Sequence, residues 1–327
     1  MAAAGSHVGP RPNKPKHYLG VADLSPEAIL ALLDRALELK RFPASAEDAK
    51  PLANRTAALV FQKPSLRTRV SFEVAMLELG GHAVYLSPAE IQLGQREGVV
   101  DAARVLSRYV DAIVARVFEH VDVQGLAAEA TIPVINALSD REHPCQILAD
   151  LLTLYERRGS LRGLRLAYVG DGNNIANSLA LAAPALGIEL RFACPDGYEP
   201  DPLVLAEATA NAPEDSGAIE LFRDPRQAVE GADAVYTDTW YSMGQESEAE
   251  IRAPIFRPYQ LNAALLSHAA ADAVAMHCLP AHRGQEITDE VMDGAASVVY
   301  DQAENRLHVQ KALLVKLLRG DQDQDQD

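Results

Sequence analysis

Short apolar runs alternate with helical segments along most of this chain, and this alternation restricts the fold more than any single motif. Apolar runs predict strands over residues 57–61, 82–86, 112–116, 133–137, 164–169, 189–194, 234–237 and 273–277. Helical spacing of apolar residues predicts helices over 26–40, 70–77, 98–109, 121–130, 144–158, 175–186, 203–210 and 303–319. Alternating strands and helices are typical of α/β proteins with a parallel sheet flanked by helices.

The length of 327 residues is too great for one compact core and favours two domains. We predict a mobile N-terminal arm over 1–16, a first α/β domain over 17–155 and a second over 156–302. The helix over 303–320 is expected to pack back on the first domain, and 321–327 to form a disordered acidic tail.

Composition limits the partners and the compartment. A formal net charge of -16 opposes nucleic-acid binding, and no apolar run reaches membrane-spanning length. The N-terminus lacks the apolar core of a secretory signal. Three widely spaced cysteines, Cys145, Cys194 and Cys278, do not suit a disulfide framework. We therefore expect a cytoplasmic protein that binds neither membranes nor nucleic acids.

A basic turn links the predicted strand 57–61 to the helix that follows. It carries Ser65, Arg67, Thr68 and Arg69. Free N–H groups and the positive end of the helix dipole favour an anion at such a turn. Two guanidinium groups and two hydroxyls indicate a multiply charged oxyanion, most simply a phosphate. The alternative is a solvated basic turn.

Polar residues also follow other strands of the first half. Arg116 ends a strand, where ligands of parallel sheets bind. His143 and Gln146 share the first turn of a helix, where both could donate hydrogen bonds to a carbonyl oxygen as it becomes negative. A surface arginine and a capping histidine are the simpler interpretations.

The second half carries three further segments whose residues could bind a ligand or take part in catalysis. Residues 170–176 partly match a dinucleotide fingerprint, but Ile175 occupies the third glycine position and argues against a nicotinamide cofactor. Asn173 and Asn174 there could contact a small substrate. The loop 238–246 begins with Asp238, whose carboxylate could hold an ammonium group, and is otherwise a surface loop with one buried aromatic residue. Cys278 lies next to a histidine, so zinc binding and Cys–His hydrolysis are alternative functions. The segment lacks the spacing of cysteines and histidines that zinc sites usually show.

Five segments together resemble the ornithine carbamoyltransferases, over about residues 18–318. They are Phe-Gln-Lys-Pro-Ser-Leu-Arg-Thr-Arg, His-Pro-Cys-Gln, Asp-Gly-Asn-Asn, Asp-Thr-Trp-Tyr-Ser-Met-Gly and His-Cys-Leu-Pro. The resemblance implies transfer of a carbamoyl group from carbamoyl phosphate to L-ornithine, with no cofactor or metal. It also implies a homotrimer or a multiple of trimers. Leu66 stands where threonine is common, and Gln95 where histidine is frequent.

The resemblance also implies roles for individual residues. Carbamoyl phosphate would be bound by Ser65, Leu66 (through its backbone), Arg67, Thr68, Gln92 (from a neighbouring subunit), Arg116, His143, Gln146, Cys278, Leu279 and Arg306. Ornithine would be bound by Asn174, Asp238, Ser242 and Met243. The catalytic residues would be Arg67, Arg116, His143 and Cys278, and Cys278 has three interpretations: a general base, a group that places ornithine, or packing.

The same residues are compatible with three other functions. Another carbamoyltransferase could act on putrescine or an N-acylated ornithine, and Asp238 favours a substrate with a free α-ammonium group. A nicotinamide oxidoreductase and a non-catalytic protein that binds phosphate metabolites are the other classes. For ornithine, activity is expected to rise from neutral to alkaline pH, because its side-chain amine must lose a proton to react.

Overall fold

Two parallel sheets form the framework of the computed structural model, which describes residues 16–42, 50–210, 217–241 and 246–319. The first sheet has the order β2-β1-β3-β4 and the second β7-β6-β5-β8-β9. The strands are β1 (Thr56–Phe61), β2 (His82–Leu86), β3 (Ala112–Arg116), β4 (Val134–Leu138), β5 (Arg165–Val169), β6 (Glu189–Ala193), β7 (Ile219–Phe222), β8 (Ala234–Thr237) and β9 (Val274–His277).

Helices cover the sheets and connect their strands. They are α1 (Pro26–Arg41), α2 (Leu66–Glu78), α3 (Pro88–Ile91), α4 (Val99–Leu106), α5 (His120–Glu129), α6 (Pro144–Arg158), α7 (Asn174–Ala182), α8 (Pro202–Ala210), α9 (Pro225–Val229), α10 (Ala249–Phe256), α11 (Ala263–Leu266), α12 (Asp289–Met292) and α13 (Val299–Arg319). Within the described ranges, no helix is both long enough and apolar enough to cross a membrane.

Local sequence explains where the two helices nearest the site begin. Ser65 caps α2 by accepting a hydrogen bond from the Thr68 N–H at 3.3 Å. Pro144 occupies the first position of α6, where its missing N–H costs nothing. Gly159 ends α6 with φ 73°, a conformation that glycine adopts without a Cβ penalty.

The strand register brings the carboxyl ends of neighbouring strands to one edge of each sheet. Phe61 of β1 pairs with Arg116 of β3, which pairs in turn with Leu138 of β4. In the second sheet, Thr237 of β8 lies between Val169 of β5 and His277 of β9. Within each sheet, the turns that leave these strands are therefore neighbours, as expected for a ligand site in a parallel α/β fold.

Helix α13 returns from the second sheet to the helices of the first. Its Asn305 donates a hydrogen bond to Thr153 of α6 at 2.9 Å, and its Lys311 pairs with Glu78 of α2 at 2.7 Å. Leu313 and Leu314 of the same helix are completely buried in the main apolar cluster. This cluster also includes side chains of both sheets, so α13 ties the two halves together.

The predicted fold class is confirmed, and the differences lie in individual elements. The helix predicted over 175–186 ends at Ala182, because Pro184 cannot continue it and begins a 3₁₀ turn instead. The last helix begins at Val299 rather than at residue 303. Strand β7 was not predicted, since it is a partly exposed edge strand of only 4 residues. The tail and residues 1–15 of the predicted arm lie outside the described residues, and the domain boundaries stay a prediction.

Candidate active site

A cavity of about 310 Å³ lies between the two sheets at the carboxyl ends of their strands. The predicted site residues that line it are Ser65, Arg67, Arg116, His143, Asn174, Asp238, Cys278, Leu279 and Arg306. Sequence reasoning did not assign a role to the other lining residues: Lys63, Pro64, Leu138, Ile175, Thr239, Tyr241, Pro280 and His282. The cavity thus combines residues separated by more than two hundred positions.

The N-terminus of α2 forms one wall of this cavity. Leu66 and Arg67 occupy its first turn, where backbone N–H groups have no acceptor within the helix. Leu66 is 76% exposed and does not line the cavity, so only its backbone N–H, at the start of the helix, remains available for a ligand. Together with the helix dipole, these amides favour an anion at this wall.

Four cationic side chains line the cavity: Lys63, Arg67, Arg116 and Arg306. Burial, Arg306 and Arg67 lower the pKa of Arg116 to about 9. Burial and Arg116 likewise lower the pKa of Lys63 to about 8. Burying like charges together is unfavourable, and a multiply charged anion between them would offset their repulsion.

The guanidinium of Arg306 is held by two residues that were predicted to contact the ligand. Its Nη2 donates to Thr68 Oγ1 at 2.7 Å, and its Nη1 donates to Gln146 Oε1 at 3.0 Å. Both residues are completely buried and do not line the cavity. In the structure, Thr68 and Gln146 therefore position Arg306.

Arg69 does not join this cationic group, contrary to the expectation for the basic turn. Its Nε pairs with Glu73 at 2.9 Å, and its guanidinium lies 4.0 Å from the centre of the Tyr85 ring. The reason is helical geometry, because residues 67 and 69 lie on different faces of α2.

His143 presents a neutral imidazole to the cavity. Burial, followed by Arg306, Arg116 and other cations, holds its pKa well below the usual value. Its backbone N–H donates to Ser178 Oγ at 3.0 Å, which anchors the residue at the start of α6. A neutral imidazole carries one N–H and can still donate a hydrogen bond to an oxygen atom.

The opposite wall belongs to the second half. Among the described residues that line the cavity, Asp238 on this wall carries the only carboxylate. Asp238 accepts hydrogen bonds from the Cys278 thiol at 3.0 Å and from Asn173 Nδ2 at 2.8 Å. Burial and Asp238 raise the pKa of Cys278 well above its usual value, so the sulfur keeps its proton. Asn174 also lines the cavity, and its amide donates to the Ser139 carbonyl at 2.7 Å.

Besides Leu66, Thr68 and Gln146, three predicted site residues are not placed in the cavity. Gln92 lies at the exposed end of α3 with φ 44° and does not line the cavity of its own chain. Ser242 and Met243 lie outside the described residues. Lys63 is the clearest residue that sequence reasoning missed, and the available signal was its position in the same turn as Ser65 and Arg67.

Asp238, His277 and Cys278 place potential metal-ligand atoms within 4.8 Å of one another. However, His277 Nδ1 accepts from the Leu279 N–H at 2.8 Å, and its Nε2 lies 3.1 Å from Glu286 Oε1. Both ring nitrogens and the thiol already have partners, so these side chains do not favour a metal centre.

The fold and the site define an α/β protein with two parallel sheets and a cavity lined by cationic side chains between them. Two family models match the chain: the carbamoyl-phosphate-binding domain of aspartate/ornithine carbamoyltransferases over residues 16–156, and the Asp/Orn-binding domain over 162–317. The chain belongs to the aspartate/ornithine carbamoyltransferase family.

Individual relatives are similar over nearly their whole length. An ornithine carbamoyltransferase of Pyrococcus abyssi is 54% identical over 94% of this chain and 97% of its own. A relative in Pyrococcus furiosus, named as the anabolic enzyme, is 54% identical over 93% of this chain and 97% of its own. The solved ornithine carbamoyltransferase structure from Pyrococcus furiosus superimposes with a TM-score of 0.90, at 53% identity over 94% of this chain and 98% of that one.

Proposed function

We propose that this protein transfers the carbamoyl group of carbamoyl phosphate to the side-chain amine of L-ornithine, giving L-citrulline and phosphate. One observation carries the proposal: three cations of the first half, a helix N-terminus and Arg306 of α13 line one side of the cavity, and the second half presents Asp238 to the same cavity. This polarity suits a dianionic donor on one side and a cationic amino acid on the other. The names of the similar proteins support the same activity.

The phosphate end of the donor would bind at the first turn of α2. Ser65, the amides of Leu66 and Arg67 and the guanidinium of Arg67 supply its donors, and Lys63 adds a charge. Arg306, held by Thr68 and Gln146, is aimed at the same volume. Bidentate guanidinium groups and helix amides are the usual ligands of phosphate oxygens.

The chemical step needs donors for the carbonyl oxygen. The neutral ornithine amine attacks the carbonyl carbon, and the oxygen becomes an oxyanion in a tetrahedral intermediate. The bond from carbon to the phosphate oxygen then breaks, phosphate leaves with the electron pair, and the proton of the attacking amine passes to the leaving phosphate or to solvent. His143 and Arg116 are the donors we assign to the oxyanion, and their fixed positions avoid reorganisation during the reaction.

Ornithine would be held by the second half. Asp238 would accept its α-ammonium group, and Asn174 would contact the remaining polar atoms, with Ser242 and Met243 as predicted partners. The protonated Cys278 thiol donates to Asp238, which supports placement rather than nucleophilic attack as its role. Proton loss from the ornithine amine predicts activity that rises from neutral to alkaline pH at saturating carbamoyl phosphate.

We further propose a cytoplasmic homotrimer, or a multiple of trimers, in which Gln92 reaches the site of a neighbouring subunit. The exposure of Gln92 outside its own cavity and three free buried cysteines support this proposal. The gap between the two family models, from residue 156 to residue 162, supports the proposed division between the domains near residue 156. Mass photometry would test the assembly. Recovery of activity on mixing Gln92→Ala with Arg306→Ala subunits would test the shared site, and no recovery would contradict it.

A colorimetric citrulline assay tests the activity, with putrescine and N-acetylornithine as competing acceptors. We expect product from ornithine and at least a hundredfold lower kcat/KM for the two acceptors. They lack the free α-ammonium group that Asp238 would bind. Asp238→Asn should raise the KM for ornithine much more than that for carbamoyl phosphate. Preferred use of putrescine or N-acetylornithine would overturn the assignment to ornithine.

A further inference from the structure

The loop between β4 and α6 belongs to the first half, but a helix of the second half holds its backbone. Asn174 of α7 donates through Nδ2 to the Ser139 carbonyl at 2.7 Å. Further along the helix, Asn177 donates through Nδ2 to the Arg141 carbonyl at 3.1 Å. One face of α7 therefore bonds to this loop twice, because residues three apart are neighbours on a helix.

A third contact of α7 reaches the residue at the end of the loop. The backbone N–H of His143 donates to Ser178 Oγ at 3.0 Å, and Ser178 is completely buried. The hydroxyl of Ser178 donates in turn to Glu142 Oε2 at 3.3 Å. Loss of the Ser178 oxygen would leave the His143 N–H without this acceptor, which is costly for a buried donor.

The imidazole of His143 depends on its backbone for its position. Its Nδ1 is buried and has no hydrogen-bond partner among the described residues. No second side chain orients the ring through this atom, so the place of the ring in the cavity follows from the place of the main chain. The main chain is held there by the contacts of the loop with α7.

The start of α7 also contacts the acidic wall of the cavity. Asn173 caps this helix of 9 residues, since its Oδ1 accepts from the Ile175 N–H at 2.9 Å. Its Nδ2 donates to Asp238 at 2.8 Å. One helix thus contacts both the carboxylate assigned to ornithine and the loop that carries an assigned oxyanion donor. Sites supported by helices are held more precisely than sites on loops alone.

We propose that α7 sets the position of His143 relative to Asp238, and that Asn177 and Ser178, which do not line the cavity, are positioning residues for the transfer step. The kinetic consequence rests on the proposed function, because it requires His143 to donate to the oxyanion. The hold of α7 on the loop does not depend on that function. A displacement of about 1 Å at a reacting group can lower a rate about a hundredfold, so even a small shift of the loop should be measurable.

Ser178→Ala and Asn177→Ala test the contacts separately. Asn177→Ala also removes the acceptor of the Asp201 N–H, so the two variants have only the loop in common. Ser107→Ala is the matched control, because Ser107 Oγ accepts the backbone N–H of Thr131 at 3.1 Å and does not line the cavity. If Ser178→Ala does not fold, Asn177→Ala serves in each measurement below.

Steady-state kinetics should separate turnover from donor binding. We expect kcat to fall about tenfold in both α7 variants, while the KM for carbamoyl phosphate changes less than about twofold, since Lys63 and Arg67 keep their places. Ser107→Ala should keep kcat within about twofold of wild type. An unchanged kcat in both α7 variants, or an equal loss in the control, would contradict the proposal.

A bisubstrate analogue tests the relative position of the two groups. The compound joins a phosphonoacetyl group to the side-chain nitrogen of L-ornithine, so it must occupy both halves of the cavity at once. Calorimetry should show about tenfold weaker binding of this compound to Ser178→Ala, whereas binding of inorganic phosphate changes less than about twofold. Equal losses for the two ligands, or no loss for either, would overturn the proposal.

Hydrogen exchange tests the contact without turnover. In mass spectrometry of the peptide 139–147, the His143 N–H should exchange at least about tenfold faster in Ser178→Ala and should not change in Ser107→Ala. An unchanged rate in Ser178→Ala would show that α7 does not hold the loop. Failure of the wild type to form citrulline is a different result. It would overturn the proposed function and the kinetic role, while the exchange rates would still decide whether α7 holds the loop.

Discussion

Lys63→Met is expected to remove a proton-uptake step from donor binding. Lys63 lines the cavity beside Arg116, and burial followed by that arginine lowers its pKa to about 8. At pH 8 about half of the free protein therefore carries a neutral Lys63. A phosphate dianion nearby favours the charged form and raises this pKa, so binding must take up a proton.

The size of the uptake follows from the pKa of the free protein. If the bound lysine remains protonated, uptake is about 0.1 proton at pH 7, about 0.5 at pH 8 and about 0.9 at pH 9. Because the pKa of Lys63 is higher in the complex, the affinity for the donor is full below pH 8 and falls above it. The fall approaches tenfold per pH unit. This loss should limit kcat/KM for carbamoyl phosphate at alkaline pH, although deprotonation of ornithine favours the reaction there.

Isothermal titration calorimetry measures the uptake directly. A phosphonate analogue of carbamoyl phosphate is titrated in buffers that differ in ionisation enthalpy, at pH 7, 8 and 9. Comparing wild type with Lys63→Met cancels the protons that the ligand itself exchanges. Lys50→Met is the matched control, because Lys50 is exposed and precedes β1 at the opposite edge of the sheet. Equal uptake by wild type and Lys63→Met at pH 8 would refute this reasoning.

Three further substitutions test the site and the core. Arg67→Ala should lower kcat/KM at least a hundredfold, about 3 kcal/mol, whereas Arg69→Ala should cost less than about fivefold; similar losses would contradict the assignment of Arg67. Burial raises the pKa of Glu142 to about 7, so ionisation of this carboxyl lowers the free energy of unfolding. The loss develops between pH 4.5 and 7 and is complete above pH 7. In urea denaturation at pH 8, Glu142→Gln should raise the free energy of unfolding by about 2 kcal/mol. If this gain in stability did not become smaller toward pH 5, ionisation of Glu142 would not be its cause. Gln310 is fully buried, and neither of its amide atoms has a partner within the described structure. Gln310→Met should therefore add about 1–2 kcal/mol to the free energy of unfolding, and a loss of stability would show that the amide is satisfied.

The framework of the site could be predicted from local sequence. The apolar runs predicted β1, β3, β5, β8 and β9 because buried parallel strands read as continuous apolar segments. The edge strand β7 was missed because it lacks that signal. The basic turn was recognised by its place between a strand and a helix, and Arg306 by resemblance to a family rather than by any pattern near it.

The details of the site depend on contacts between distant residues. Arg306 and Thr68 are 238 positions apart, and no local pattern predicts that one holds the other. Arg69 was grouped with Arg67 from sequence, yet it pairs with Glu73 on another face of α2. The contact between Arg306 and Thr68 forms only when α13 packs on α2, whereas the pair of Arg69 and Glu73 follows from i,i+4 spacing within one helix.

By itself, the sequence determined the order of strands and helices, the parallel sheets that follow from it, and the placement of cationic and acidic residues after particular strands. These properties depend on local periodicity and on backbone preferences. Only the tertiary structure decided that Lys63 shares a cavity with three arginines, that His143 is neutral, and that Asp150 accepts hydrogen bonds from Gln302 and Tyr236. The charge state of a side chain and its hydrogen-bond partners depend on burial and on distances of a few ångströms. Burial and these distances are established only when the two halves pack around one cavity.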